Sequence, residues 1–461
     1  MSDERQKTQR SMGCYAGKKS EAPNPVVKAS ESIIAERKPE NPTGTRELME
    51  EVCKPENLEK ALKRVKANKG SSGIDGMRVE ELTLYLKENW SRIKEQLLSG
   101  TYKPTPVKRV EIPKPDGGIR KLGIPTVLDR FIQQAILQVL QGMYDKTFSA
   151  HSYGFRPNKS AHQAVLQAQK HISDGYRVVV DIDLEKFFDK VNHDRLMSAL
   201  AKRIEDKRML KIIRAYLNAG VMEDGLIKPT EEGTPQGGNL SPLLSNIVFD
   251  ELDKELEERG HRYVRYADDS NIYVRSVRAG ERVRSSITRF ITQKLKLKVN
   301  EEKSAVDMPS KRKFLGYTFT NAEKPRIRIS AKSLKRFKER IREITNRNRG
   351  ISLARMVREL IDYIRGWMSY YHYCQTPSTL TSLDSWIRRR IRCFVWKKWK
   401  TFANRVSELI KRGVRKEQAR ATACGSKRLW AMSRNEYVQI ALPNAYLYSI
   451  GIFPLATLVK V

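Results

Sequence analysis

The chain has 461 residues, 39% of them hydrophobic, enough for several cores at about 150 residues per domain. Its 88 Lys and Arg against 53 Asp and Glu leave a formal net charge of +35, more than solubility calls for, and point to a polyanionic partner. There is no apolar run of about 18 residues and no apolar signal-peptide centre, which excludes a spanning helix and predicts a soluble, intracellular protein without a membrane partner.

Cys14, Cys53, Cys374, Cys393 and Cys424 form no CxxC pair, and the six histidines form no HExxH, so the thiols read as reduced and zinc chemistry has no support. Cys14 is internal with no apolar segment before it and reads as an ordinary thiol.

Residues 1–44, rich in Lys, Glu, Ser and Pro, predict a mobile arm. Two short helices are expected between Thr45 and Lys69, from the spacing of Leu48, Val52, Leu58, Leu62 and Val65. Val107–Ile112 and Ile119–Ile124, joined by Pro115-Asp116-Gly117-Gly118, predict a basic hairpin. A helix follows over Asp129–Met143. Arg177–Ile182 reads as a buried strand with Asp183 near its end. Ser241–Glu258 carries one apolar stripe and predicts a long helix. His261–Tyr266 and Asn271–Val274 read as strands joined by Ala267-Asp268-Asp269-Ser270. From about Arg326 the pattern turns helical and basic, with further helices at Ser352–Tyr371 and Leu380–Lys400 suggesting a small bundle. From about residue 403 a basic helix and a tail containing Gly, Trp and Tyr suggest a separate small module.

Asp183 and the Asp268-Asp269 pair stand at strand ends, and carboxylates brought together repel by about 4 kcal/mol per pair at 4 Å and an effective dielectric near 20. A cation must offset that repulsion. All-oxygen ligation suits Mg²⁺, and two such ions can serve the attacking and leaving oxygens of phosphoryl transfer. A lone AspAsp in a turn is usually turn chemistry. Asp181 and Asp183 also share a strand face, so spacing does not choose between them.

Six segments then carry a resemblance: IleProLysProAspGlyGlyIleArgLysLeuGlyIlePro (112–125), HisSerTyrGlyPheArgPro (151–157), AspIleAspLeuGluLysPhePheAsp (181–189), GlyThrProGlnGlyGlyAsnLeuSerPro (233–242), TyrAlaAspAsp (266–269) and PheLeuGlyTyr (314–317). In this order they resemble group II intron-encoded reverse transcriptases, or maturases, over roughly residues 45–461. The resemblance implies an α+β right-hand polymerase. Its parts would be a mobile arm (1–44), an N-terminal extension and start of the fingers (45–105), fingers and palm (106–325), a helical thumb called domain X (326–402) and a C-terminal DNA-binding module (403–461).

It also implies roles for particular residues. Asp183, five positions before Phe188, would be the first metal ligand beside Asp268 and Asp269, with Asp181 structural and Asp268 the more direct ligand of the neighbouring pair. Phe188 would pack on the sugar of the incoming nucleotide and disfavour a 2′-hydroxyl; core packing is the other role open to it. Lys114 and Arg120 would clamp the triphosphate, although the same hairpin also reads as a solvated basic face. Gln236 would pack on base and sugar, and Lys303 is similar in position to a lysine proposed as general acid for pyrophosphate release. Lys332, Lys335, Arg336 and Arg340 would bind nucleic-acid phosphates.

The expected function is RNA-directed DNA synthesis with two Mg²⁺ ions and dNTP substrates, on partners that include an RNA template, intron RNA and a DNA primer or target. It would serve splicing and retrohoming in the bacterial cytoplasm, in association with the nucleoid. The sequence reaches Val461 without the Cys pairs of an HNH domain, so no DNA cleavage is expected. Other readings are a related enzyme recruited to defence or DNA repair, and a splicing cofactor that does no synthesis.

Overall fold

The basic hairpin forms as its sequence suggests: β1 (Val107–Pro113) and β2 (Ile119–Ile124) pair antiparallel from Lys108↔Ile124 to Pro113↔Ile119. The computed structural model describes residues 45–458, apart from 114–116, 224–225, 229–232, 234–236 and 426–427. The expected arm (1–44), Lys114 and Gln236 lie outside the described residues.

The helix Val127–Tyr144 follows β2, and its buried Asp129 accepts hydrogen bonds from Tyr102 Oη at 2.9 Å, Tyr216 Oη at 3.2 Å and the Thr105 amide at 3.1 Å. A buried carboxylate held by so many donors ties together three distant segments. Further along the chain come β3 (Val178–Ile182), β4 (Val221–Glu223), β5 (Leu226–Lys228), β6 (Arg262–Tyr266), β7 (Asp269–Val274), β8 (Ala305–Asp307), β9 (Tyr317–Phe319) and β10 (Ile327–Ile329). The hairpin joins β4 and β5 in a sheet of order β2-β1-β4-β5.

The central sheet has the order β6-β7-β3-β8, every neighbouring pair antiparallel. Its strand β3 is apolar on both faces because each face meets a different core. Val178, Val180 and Ile182 join the main cluster with the helix Ser241–Glu258, while Val179 joins a second with the helix Ala161–Ser173. Burial on both sides explains why Val178–Val180 runs apolar instead of alternating. Over this sheet the helix Val277–Gln293 sits close at Gly280, where a Cβ would collide with Val306.

Beyond β8 the chain makes the short hairpin β9–β10 and then the helices Ala331–Ile344, Leu353–Tyr371 and Pro377–Lys398, the first two capped by the Ser330 and Ser352 hydroxyls. β10 therefore stands where the sequence pattern suggests the start of helical structure, and it pairs back across the expected 325/326 division. The segment after residue 402 shares a core with the thumb helices: Leu409, Val438, Leu447 and Leu455 belong to the same buried cluster as Ile341, Leu360 and Ile391. Asp384 accepts from the Leu455 amide at 2.9 Å, and Arg392 donates to the Leu442 carbonyl at 2.9 Å, crossing the division at 402/403. The architecture is α+β, with hairpin-bearing fingers, a sheet-based palm and a helical thumb. Among the described residues no helix is long and apolar enough to cross a membrane, and Cys53, Cys374, Cys393 and Cys424 are free thiols.

Candidate active site

β3 ends one residue before Asp183, and the backbone there is held on both sides. Asp183 N–H donates to Ser304 Oγ at 3.0 Å, its carbonyl accepts from Asn300 N–H at 2.8 Å, and Glu185 N–H donates to the Lys298 carbonyl at 2.8 Å. These bonds dock the 298–304 loop beside Asp183, so that Lys303 Nζ stands 3.6 Å from its carboxylate. On the same strand Asp181 is taken by Arg312, whose Nε and Nη2 donate to one oxygen at 2.9 and 2.6 Å.

The neighbouring pair reaches the site through a tight turn. Tyr266 pairs directly with Asp269, leaving only Ala267 and Asp268 as the connection, with Ala267 at φ +57°. Asp269 is thus the first residue of β7 and not part of a four-residue linker as the sequence suggests. A positive φ in alanine is a strained choice that the surroundings must impose. They do so from behind: Arg265, with no exposed surface, donates through Nη1 to the Ala267 carbonyl at 2.9 Å and to Asn246 Oδ1 at 3.1 Å. Its Nη2 meets Ser152 Oγ at 2.7 Å, and a two-pronged ion pair joins it to buried Asp253 at 2.8 and 2.6 Å. From the other side Gly154 is pressed so closely on the turn that a Cβ would collide with the Ala267 nitrogen.

An open groove of about 1730 Å³ collects Asp183, Asp268, Asp269, Arg120, Phe188 and Lys303 on its walls. Phe188, half-buried on the short helix Phe187–Lys190, stands beside Phe187, whose ring stacks on Phe249 at 4.4 Å. Gly233 approaches that helix closely, for a Cβ on it would lie 2.7 Å from the Phe188 carbonyl. Gly237, at φ +125°, approaches Gly123 of β2 in the same way. Gly233 and Gly237 thus let backbone meet backbone, Gly237 at the groove wall.

The carboxylates sense one another. Loss of hydration raises the Asp268 carboxyl, the charge of Asp183 adds to it, and Arg120 opposes it. Asp269 opens onto the groove, yet the enclosing walls thin its hydration and push its carboxyl up to about 6, with Asp268 and Asp181 adding repulsion. An oxygen donor set whose members resist ionising together suits a hard cation such as Mg²⁺ in kind. Among the described residues no three His, Cys, Asp or Glu side chains form a ready metal cage in this conformation. Asp183 is instead engaged by Lys303.

Lys332, Lys335, Arg336 and Arg340 lie away from the groove, exposed on the helix Ala331–Ile344, with Arg340 paired to Glu343 at 2.6 Å. Reading by residue type overlooks Arg265, Gly154 and Phe155. The last two lie in the quoted segment 151–157, and Arg265 announces itself only as a charge within the buried run Tyr263–Arg265 of a strand that opens on exposed Arg262.

Residues 112–319 match the family model described as reverse transcriptase (RNA-dependent DNA polymerase), and residues 334–413 match the group II intron, maturase-specific domain. Protein YkfC of Escherichia coli (strain K12) is 33% identical over 299 residues, which cover 56% of this chain and 78% of that protein. The group II intron-encoded protein LtrA of Lactococcus lactis subsp. cremoris is 30% identical over 351 residues, 62% of this chain and 58% of LtrA. A chain of the partial Cas6-RT-Cas1–Cas2 complex matches 53% of this chain and 42% of its own length at 24% identity, with a TM-score of 0.34, too loose a likeness to bear on domain arrangement. With the polymerase and maturase-specific segments matched in succession, the chain belongs to the group II intron-encoded reverse transcriptases, the RNA-directed DNA polymerases also called maturases.

Proposed function

We propose that this protein binds the RNA of a group II intron, assists its splicing, and copies it into DNA from a DNA primer during retrohoming. The observation that carries this reading is the single groove on which Asp183, Asp268 and Asp269 meet Arg120 and Phe188. Asp183, Asp268 and Asp269 would hold two Mg²⁺ ions, which when bound supply charge neutralisation at the attacking and leaving oxygens.

The protein's own groups have separable tasks. Arg120, near enough to lower the proton affinity of Asp268, offers a planar fork to the triphosphate of an incoming dNTP, aided by Lys114. Phe188 would pack against the nucleotide sugar, where a 2′-hydroxyl would clash, and Gln236 would pack on base and sugar. Lys303 places an ammonium where pyrophosphate departs and can donate the proton that the leaving oxygen needs. The exposed cations Lys332, Lys335, Arg336 and Arg340 grip template and intron RNA through phosphate.

Primer extension on an RNA template tests the reading. Asp268→Ala should abolish extension while leaving assistance to splicing intact, because the thumb surface is untouched. Extension by Asp268→Ala equal to that of the parent chain would sink the polymerase site.

A further inference from the structure

Phe155 combines properties that rarely meet in one residue. It is a bulky side chain at φ +58°, it is 48% exposed, and it lies on the wall of the carboxylate groove. A left-handed backbone costs a non-glycine residue conformational energy, and burial does not return that cost when half the ring faces water. Its neighbours impose the conformation. Gly154 is wedged against Ala267, and Arg156 donates to Asp145 Oδ1 and the Asp145 carbonyl at 2.8 Å each, to the Ser149 carbonyl at 2.5 Å and to the Ser152 carbonyl at 2.9 Å. With both flanks anchored, the ring stands beside Tyr266, centroids 6.3 Å apart and planes at 44°. Tyr266 is the cross-strand partner of Asp269.

Two aromatic rings thus flank the carboxylates from different elements. Phe188 follows Asp183 out of β3, and Phe155 abuts the residue that leads β6 into the turn. Nucleotidyl transfer must seat two nucleotides at once, the incoming one and the one bearing the attacking 3′-hydroxyl. If Phe188 serves the first, as in the reading above on which this inference rests, a second apolar surface is needed for the other. We propose that Phe155, backed by Tyr266, is the shelf on which the 3′-terminal nucleotide of the primer rests in the template–primer duplex. An uncharged ring offers nothing to phosphate, so the contact is to base and sugar, while Arg120, Lys186 and Lys298 on the same groove face the phosphates.

The test varies primer–template and dNTP separately in primer extension, and measures binding of a labelled RNA–DNA template–primer by anisotropy. Phe155→Ala and Phe155→Gly should raise the primer–template Kd and KM about tenfold, the loss of one base–aromatic contact, with the dNTP KM within about twofold of the parent. Phe155→Gly also suits the left-handed backbone, so its Tm should equal or exceed that of the parent and its weaker binding cannot be ascribed to unfolding. Parent-like primer–template binding by folded Phe155→Gly overturns the proposal, as does a rise confined to the dNTP KM. A parent chain that extends no primer overturns the polymerase reading itself, before any Phe155 variant is compared.

Discussion

The buried Arg265 guanidinium donates to the Ala267 carbonyl at 2.9 Å, so a charge behind the sheet holds the turn that presents Asp268 and Asp269. The arrangement spends a buried ion pair with Asp253 on shape. Breaking such a pair by removing one partner costs about 3–5 kcal/mol, because the other charge is left buried and unpaired. Arg265→Met should therefore lower Tm sharply, and Arg265→Met with Asp253→Leu should recover much of the stability. Extension activity should not recover in the double variant, since the bond to Ala267 is still missing. Thermal unfolding and primer extension on the same preparations check both halves, and full recovery of activity would refute a positioning role.

Gly154→Ala probes the turn from the other side. The added Cβ would lie 2.3 Å from the Ala267 nitrogen, backbone with no flexible end to move aside, so the turn must shift by about an ångström to reach ordinary contact. Misplacement of reacting groups by about 1 Å can cost a factor of about 100 in rate. A loss of kcat of about tenfold to a hundredfold is expected, with primer–template binding little changed. Unchanged kcat would show that the turn tolerates displacement.

His171 makes stability pH-dependent. Its ring is buried between His151 and Tyr273, and desolvation first, then the charge of His151, lowers its pKa to about 4. In the unfolded chain the group titrates near 6.5. Between those values the unfolded state binds a proton that the folded state refuses, so stability falls as pH drops through the window and levels off below it. The loss amounts to roughly 3 kcal/mol at most for this group. Denaturant unfolding of the parent and of His171→Phe at pH 7 and pH 4.5 should show a shallower decline in the variant. Parallel declines would place the acid sensitivity elsewhere.

Much of this architecture is legible in the residues themselves, because it rests on local periodicity. The stripe of Leu244, Ile247, Val248, Leu252 and Leu256 predicts a helix at Ser241–Glu258 and the helix has those bounds. The hairpin of β1 and β2 follows from its Gly117-Gly118 turn. Features set by distant packing are not legible. Ala267 accepts a positive φ only because Arg265 and Gly154 press on it, which turns an expected four-residue connection into two residues. β10 is three residues long, too short for any period to show. The tail after residue 402 has a composition of its own, yet Asp384 and Arg392 stitch it to the thumb core, and no spacing signals those bonds. At the site, Asp268 and Asp269 stand out by type and Asp183 is separated from Asp181 only by the resemblance, whereas the strained ring of Phe155 is signalled by neither.

The thumb helix supplies a last prediction, in which the four exposed cations are not equivalent. Each phosphate contact steepens the fall of log Kobs with log salt concentration by about 0.7–0.9. Lys335→Ala should flatten the salt dependence of RNA binding by close to that amount. Arg340 shares its charge with Glu343 at 2.6 Å, so phosphate must compete with a carboxylate for its guanidinium. Arg340→Ala should accordingly change the slope less than Lys335→Ala, while Glu343→Gln, which releases Arg340, should tighten binding at low salt. Filter binding of a structured RNA across a salt series measures all three, and a salt slope that none of them alters would remove this helix face from the RNA-binding surface.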